Sequence, residues 1–495
     1  MHEAGHPEVI QGGMGVGVSG WRLARAVASR GALGVVSGTA LDVQLARRLQ
    51  LGDPGGDLRR SLARFPYREL VDRVMKRYFV PGGIAPGAHF AEVARPTLKP
   101  SRELLGLNVL AGFVEVDLAR EGHDGRVGIN LLQKIVLPTL PTLYGAMLAG
   151  VGYVLMGAGI PLEIPAALQA LSGHRSAALS VPVAGDTADD TTADVRIGFD
   201  PAAAGLGSAG ASPALALPCF FPIISSVSLA QILLKRATGP VDGFIVEAPA
   251  AGGHNAPPRG AARFDALGQP LYGPRDEVDL AKLRELGKPF WLAGSRGRPG
   301  ELAEARRLGA HGIQVGTAFA FTRESGLDPQ LRRAVISKVE AGTAGVRTDP
   351  RASPTGFPFK VVDLPGTLSE EAVYEQRERV CNLGFLRSAY RREDGGVGYR
   401  CAAEPVEAFV AKGGEAAQTV GRKCLCNSLL ANVGLAEPQA TGELEPPLLT
   451  AGDDLEALRL FLPPGEHDYG VAEVLAALRS ERSERLERSE PAQPA

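Results

Sequence analysis

The chain has 495 residues with a formal net charge of −2; 45% are hydrophobic and 22% charged, with 62 Gly and 37 Pro. That is the composition of a globular protein, and a near-balanced charge with no basic stripe excludes the electrostatic footprint of a nucleic-acid or anionic-membrane binder. Five Cys in a chain this long make no disulfide framework, so reduced thiols and a cytoplasmic setting are expected, and the opening MHEAGHPEVIQGG shows no basic-then-apolar leader.

In chain order, short apolar runs recur at 8–13, 32–38, 127–132, 153–159, 220–225, 243–249, 290–295 and 312–319. They are continuous rather than alternating, the pattern of strands buried on both faces. Helical periodicity fills most gaps, as in GWRLARAVASRG, SLAQILLKRAT, DLAKLRELG and GELAEARRLGA. Eight alternating units predict a closed (β/α)8 TIM barrel. The stretch from Ile135 to Leu162 has no charged side chain, long enough to span a bilayer. Its prolines and glycines indicate instead a buried helix followed by a buried strand.

Three regions exceed a minimal barrel. Residues 40–126 read as a large insertion with its own helices, including YRELVDRVMKRYF and FVEVDLAREG; residues 174–217 read as a partly extended insertion. A barrel domain over 1–340 is expected, then a Cys-containing extension over 341–440 and a helical, charged tail over 441–495. Within the extension, SPTGFPFKV (353–361) reads as an extended segment able to cover the barrel mouth.

Active sites of such barrels lie at the carboxyl ends of the strands. The first loop, QGGMGVGVSG, has five glycines in ten residues and lets a flat ligand approach the backbone. The seventh and eighth strands end in Gly294-Ser295 and Gly316-Thr317, where barrels commonly hold a phosphate on free backbone N–H groups. The sixth ends in Gly252-Gly253-His254, which places an imidazole on the active face for proton transfer.

These residues carry a resemblance. AGGH at 251–254, IQGGMGVGVSG at 10–20, GIN ending at Asn130, and the pattern of Gly316, Thr317 and Phe319 fall in the order of the nitronate monooxygenase family, formerly 2-nitropropane dioxygenases. The chain resembles that family over about residues 8–325. The resemblance implies an FMN-dependent TIM barrel with His254 as catalytic acid/base. It implies flavin contacts from Gly13, Met14 and Gly15, a hydrogen bond from Asn130, a lining of Gly252 and Gly253, and phosphate anchoring by Gly294, Ser295, Gly316 and Thr317. The implied reaction is oxidation of an alkyl nitronate to a carbonyl compound and nitrite with O2. The superfamily also holds NAD(P)H-dependent FMN enoyl reductases of fatty-acid and polyketide synthesis, to which GGMGVGVSGWRLARAVA is similar. That alternative implies an acyl-carrier-bound substrate, and a homo-oligomer is compatible with either reading; a non-catalytic binding or scaffold barrel is the third. One departure bears on the reaction: relatives carry a Lys in the fifth strand near the flavin, where this chain has Ile223, Ile224 and two serines, and they often have Gln where Glu247 stands.

Cys381, Cys401, Cys424 and Cys426 fall in one stretch. Four thiolates are a ligand set for zinc or an iron–sulfur cluster if they converge. Their spacing, with a single C-x-C pair, is not that of a zinc ribbon; burial as small apolar residues is the alternative.

Overall fold

The structure, a computed structural model, describes residues 5–184 and 195–480. Eight parallel strands form one sheet: β1 (Val9–Gln11), β2 (Gly34–Ser37), β3 (Val127–Leu132), β4 (Tyr153–Gly157), β5 (Cys219–Ile224), β6 (Phe244–Glu247), β7 (Phe290–Ala293) and β8 (Gly312–Val315). Each pairs with its neighbour in sequence, and β8 pairs with β1. The circle closes where Gln11 N–H donates to Leu33 O and Leu33 N–H to Val9 O, both at 3.0 Å. The expected TIM barrel is therefore present, built on all eight apolar runs.

Side chains alternate across each strand, and the two faces differ. Ile10, Val35, Leu155, Phe221, Ile245 and Trp291 point inward as a packed plug. Phe221 stacks on Trp291 at 4.7 Å, and the indole N–H donates to Pro7 O at 2.8 Å. Two residues further along their strands, Ile223, Glu247 and Ala293 line a cavity above the plug. A filled floor leaves the carboxyl end as the place for a ligand.

The helices covering the barrel are α1 (Trp21–Ala28), α2 (Arg102–Arg120), α3 (Thr139–Leu148), α4 (Ile164–Ser172), α5 (Val227–Arg236), α6 (Leu280–Glu285), α7 (Glu301–Arg307) and α8 (Val471–Arg479). The charge-free stretch after Ile135 is α3 followed by β4. Among the described residues no helix is long and apolar enough to cross a membrane.

Two boundaries differ from expectation. FVEVDLAREG is no insertion helix: it is largely the end of α2, which packs between α1 and α3 as the barrel's second helix. The added helices of that region end at Tyr78. The eighth helix is not found directly after β8. It is α8, which buries Val471, Val474, Leu475 and Leu478 and packs on α1 and α7. A barrel ending at 340 would lack the apolar stripe that covers this gap. The intervening residues are thus a long excursion between β8 and α8, folded back over the barrel mouth. Residues 481–495, the last part of the expected charged tail, and 185–194 of the second insertion lie outside the described residues.

Candidate active site

A cavity of about 480 Å³ opens at the carboxyl ends of the strands, within the range of small-molecule sites. All eight strand ends contribute to it, and so does the excursion, through Phe357, Phe385, Leu386, Leu425, Cys426, Leu449 and others. Every expected flavin-contacting residue lines it: Gly13, Met14, Gly15, Asn130, Gly252, Gly253, Gly294, Ser295, Gly316 and Thr317, together with His254.

The first loop is held by three buried polar side chains. Ser19 Oγ accepts from Met14 N–H at 2.9 Å and donates to Gly12 O at 3.1 Å. Gln11 reaches Ser19 Oγ at 2.9 Å, and its oxygen accepts from Val35 N–H at 3.0 Å. Ser37 Oγ donates to Gly15 O at 2.7 Å. Gly13 is glycine because a Cβ there would sit 2.3 Å from Asn130 Cβ, so the loop packs directly on the β3 side chain.

The two glycines before His254 do different things. A Cβ at Gly252 would lie 2.8 Å from Ala451 C; the excursion itself fills that space. Gly253 has φ +81° and open space where a Cβ would be, so only this one leaves room toward a ligand. Gly253 N–H donates to Thr450 Oγ1 at 2.8 Å and its carbonyl accepts from Lys360 N–H at 2.9 Å. Gly452 N–H donates to Thr317 Oγ1 at 2.8 Å. The β6 loop is thereby clamped between Phe359–Val362 and the 449–453 segment.

His254 Nε2 lies 2.7 Å from Ser353 Oγ, and its ring meets Phe359 edge-on at 5.0 Å. SPTGFPFKV therefore does cover the mouth and supplies the histidine's partner. Burial, reinforced by the charge of Lys134, pushes the imidazole down to about 3. At neutral pH it is uncharged, a hydrogen-bonding group rather than a proton donor.

Lys134, just past β3, lines the cavity. Its Nζ lies 3.0 Å from the Phe357 ring centroid and has no hydrogen-bond partner. Burial pushes its ammonium down to about 7. Glu247 is pushed up to about 7 by the same cause. Sequence reasoning passed over Lys134, although it is the last charge before the long neutral stretch, directly after a barrel strand.

FMN fits this cavity. Several of its lining residues carry buried polar atoms without a partner: Lys134 Nζ, Asn255 Oδ1, Arg296 Nε, Gln314 Oε1 and Asn432 Oδ1. Buried polar groups are normally paired, so these are positions for a polar ligand to satisfy. Arg296, next to Ser295, lines the same cavity, with its Nη1 paired to Glu301 Oε2 at 2.7 Å.

Cys381, Cys401, Cys424 and Cys426 come together in one cluster below the wall formed by Leu386 and Leu425. Among the described residues, no group of three or more His, Cys, Asp or Glu is placed so that it could hold a metal ion. The expectation of zinc or an iron–sulfur cluster at Cys381, Cys401, Cys424 and Cys426 is not met, because the thiols pack as an apolar cluster.

Residues 214–350, from ahead of β5 to past β8 and including the AGGH sequence, match the family model described as Nitronate monooxygenase. No curated protein matches the chain. Similar solved structures include FabK from Thermotoga maritima (15% identity, 96% of this chain and 91% of that one, TM-score 0.44). Nitroalkane oxidase from Streptomyces ansochromogenes is similar too (17% identity, 95% and 94%, TM-score 0.43). So is the enoyl reductase domain of MlnA from Bacillus amyloliquefaciens (11% identity, 94% and 91%, TM-score 0.45). The chain is an eight-stranded parallel TIM barrel whose residues 214–350 are similar to the nitronate monooxygenase family.

Proposed function

We propose that this chain reduces a carbon–carbon double bond conjugated to an acyl carbonyl, with FMN as cofactor and NAD(P)H as reductant. The observation that carries this reading is Lys134, a buried ammonium with a depressed pKa beside the uncharged His254. Such a reduction needs one proton at carbon or at the developing enolate oxygen. His254 is neutral and held by Ser353, so it orients; Lys134 and Glu247 are the groups that hold a proton to give near neutral pH, and Lys134 is the one whose charge acts on His254. FMN, when bound, supplies hydride transfer. The backbone at Gly13–Gly15 and Gly253, with Asn130 and Gln314, would hold its ring system; Gly294, Ser295, Arg296, Gly316 and Thr317 would hold its phosphate. The apolar wall of Phe357, Phe385, Leu386 and Leu449 suits the chain of an acyl substrate, free or carrier-bound, and excludes water from the reacting centre.

A second reading, oxidation of an alkyl nitronate with O2, is supported by the family match over 214–350. There Lys134 would hold the nitronate anion. Deprotonation of a neutral nitroalkane by His254 is disfavoured, because an imidazole pushed down to about 3 is a weak base. Anaerobic mixing with NADPH, then with an enoyl thioester, separates the two. The first reading expects the flavin bleached by NADPH and re-oxidised by the thioester. A flavin untouched by NADPH, with nitrite released from nitronate in air, selects the second.

A further inference from the structure

Outside the cofactor cavity, the excursion brings two thiols together at the base of a hairpin. Cys381 precedes the turn into the strand Ser388–Arg391, and Cys401 directly follows the strand Val397–Arg400. The two strands pair antiparallel with Ser388 opposite Arg400, so Cys401 stands where the hairpin opens, and the chain from Cys381 returns to the same place. Both line one small void, with Cys424 and Cys426 on its other side. The burial of these thiols needs no special account, since a free thiol packs as a small apolar group. The difference in their surroundings does.

Burial holds Cys424 and Cys426 in the thiol form, above the ordinary value. Cys381 is only partly buried and goes the other way. The Cys401 thiol donates a hydrogen bond to its sulfur, and Arg387 and Arg95 add their charge, against burial and the charge of Glu404; together they hold Cys381 below the ordinary thiol value. The same hydrogen bond, with burial, pushes Cys401 up. Both arginines are fixed where they act. Arg95 Nη1 donates to Cys381 O at 3.3 Å, and Arg387 Nε donates to Gly384 O at 3.1 Å. Lys412 pairs with Glu404 at 2.7 Å, which offsets the nearby acid. A partly exposed sulfur with raised thiolate character, set against a second thiol and flanked by guanidinium groups, is placed for selective oxidation.

We infer that Cys381 and Cys401 are a reversible oxidation site, in which Cys381 reacts with hydrogen peroxide and Cys401 closes the product to a disulfide. The Cys381 thiolate attacks a peroxide oxygen: an S–O bond forms, the O–O bond breaks, and the hydroxide released takes up the proton that Cys381 gave to solvent. The Cys401 sulfur then attacks the Cys381 sulfenic acid: the S–S bond forms, the S–O bond breaks, and the hydroxide leaves as water with the Cys401 proton. Two thiols are oxidised and one peroxide is reduced to water. A dithiol reverses the change by exchange. The loop so closed contains Phe385 and Leu386, which belong to the wall of the cofactor cavity, so the bond ties down one side of that cavity.

The test is the fate of the thiols. The full chain is reduced, freed of reductant and treated with hydrogen peroxide, and its thiols are counted after denaturation. The count should fall by one pair from the five of the reduced chain, and a non-reducing digest should hold a peptide joining Cys381 to Cys401. A dithiol should restore the full count. In Cys401→Ser, dimedone should trap a sulfenic acid at Cys381; in Cys381→Ser, peroxide should remove no pair. Where a variant does not fold, alkylation of the unaltered protein by limiting iodoacetamide decides: Cys381 should react about tenfold faster than Cys401, Cys424 or Cys426. No thiol lost to peroxide, a disulfide that joins any other pair, or Cys381 alkylated no faster than its neighbours overturns the inference.

Discussion

Lys134 and His254 illustrate how burial divides work between two side chains of ordinarily similar charge behaviour near pH 6. Both are pushed toward their neutral forms, but from different starting points. The imidazole arrives at about 3 and stays neutral through the working range; the ammonium arrives at about 7 and is half protonated there. Lys134→Met should therefore retain FMN and lose about 10²- to 10⁴-fold in kcat, the usual contribution of a positioned acid. In the unaltered enzyme kcat should fall as pH rises through about 7, and the Met variant should lack that limb. An unchanged rate in the variant would remove Lys134 from proton delivery. The same shift predicts stability. Between about 7 and the ordinary lysine value of 10.5 the unfolded chain binds a proton at this lysine that the folded one does not, so its contribution makes stability rise with pH over that window. Thermal denaturation at pH 6 should show the Met variant the more stable. Ser353→Ala tests orientation rather than chemistry: it frees the His254 ring and should lower kcat less than His254→Asn does, with FMN content unchanged in both.

At the scale of elements, the β6 loop is held as much by the excursion as by its own strand. Gly252→Ala would force its new methyl group into the backbone of Ala451 and Gly452. Overpacking of that kind costs about 1–3 kcal/mol, and it should lower Tm and weaken FMN retention together. A glycine-lined flavin contact alone would weaken FMN without moving Tm. The eight strands were legible in the sequence because a strand buried on both faces must be apolar along its whole length, as β4 and β5 are. The strand-end glycines and His254 were legible because they interrupt those runs. Lys134 was not, since one lysine after a strand is indistinguishable from a surface residue until Phe357 closes over it. The second role of Gly252 was also hidden, because Ala451 lies about two hundred residues away in sequence and nothing local announces the contact. The boundary of α2 was misplaced for a related reason: its buried face runs nearly all round the helix, which blurs the periodicity that marks a barrel helix.

On the scale of the whole molecule, the chain leaves the barrel after β8, builds the roof of the active site, and returns to close the barrel with α8. Catalytic wall and barrel closure are therefore one connected piece. Arg298 ties the two by a bidentate pair with Asp454, both contacts at 2.6 Å, just before the chain turns toward α8. α8 contributes four buried aliphatic side chains against α1 and α7. Removing one of them, as in Leu475→Ala, should cost about 2–5 kcal/mol, which is a large part of the 5–15 kcal/mol that typically separates folded from unfolded states. A chain ended at residue 470 loses all four and exposes the stripe between α1 and α7, so it should fail to give a cooperative unfolding transition. The roof depends on the same anchor, so Leu475→Ala should also release FMN at a lower temperature than the unaltered protein does, although the residue lies outside the cofactor cavity. Flavin fluorescence and circular dichroism followed in one thermal ramp make the comparison. Coincident transitions, both shifted down, show roof and barrel unfolding as a unit; a flavin transition that stays in place while the barrel melts earlier would show the roof to be an independent module.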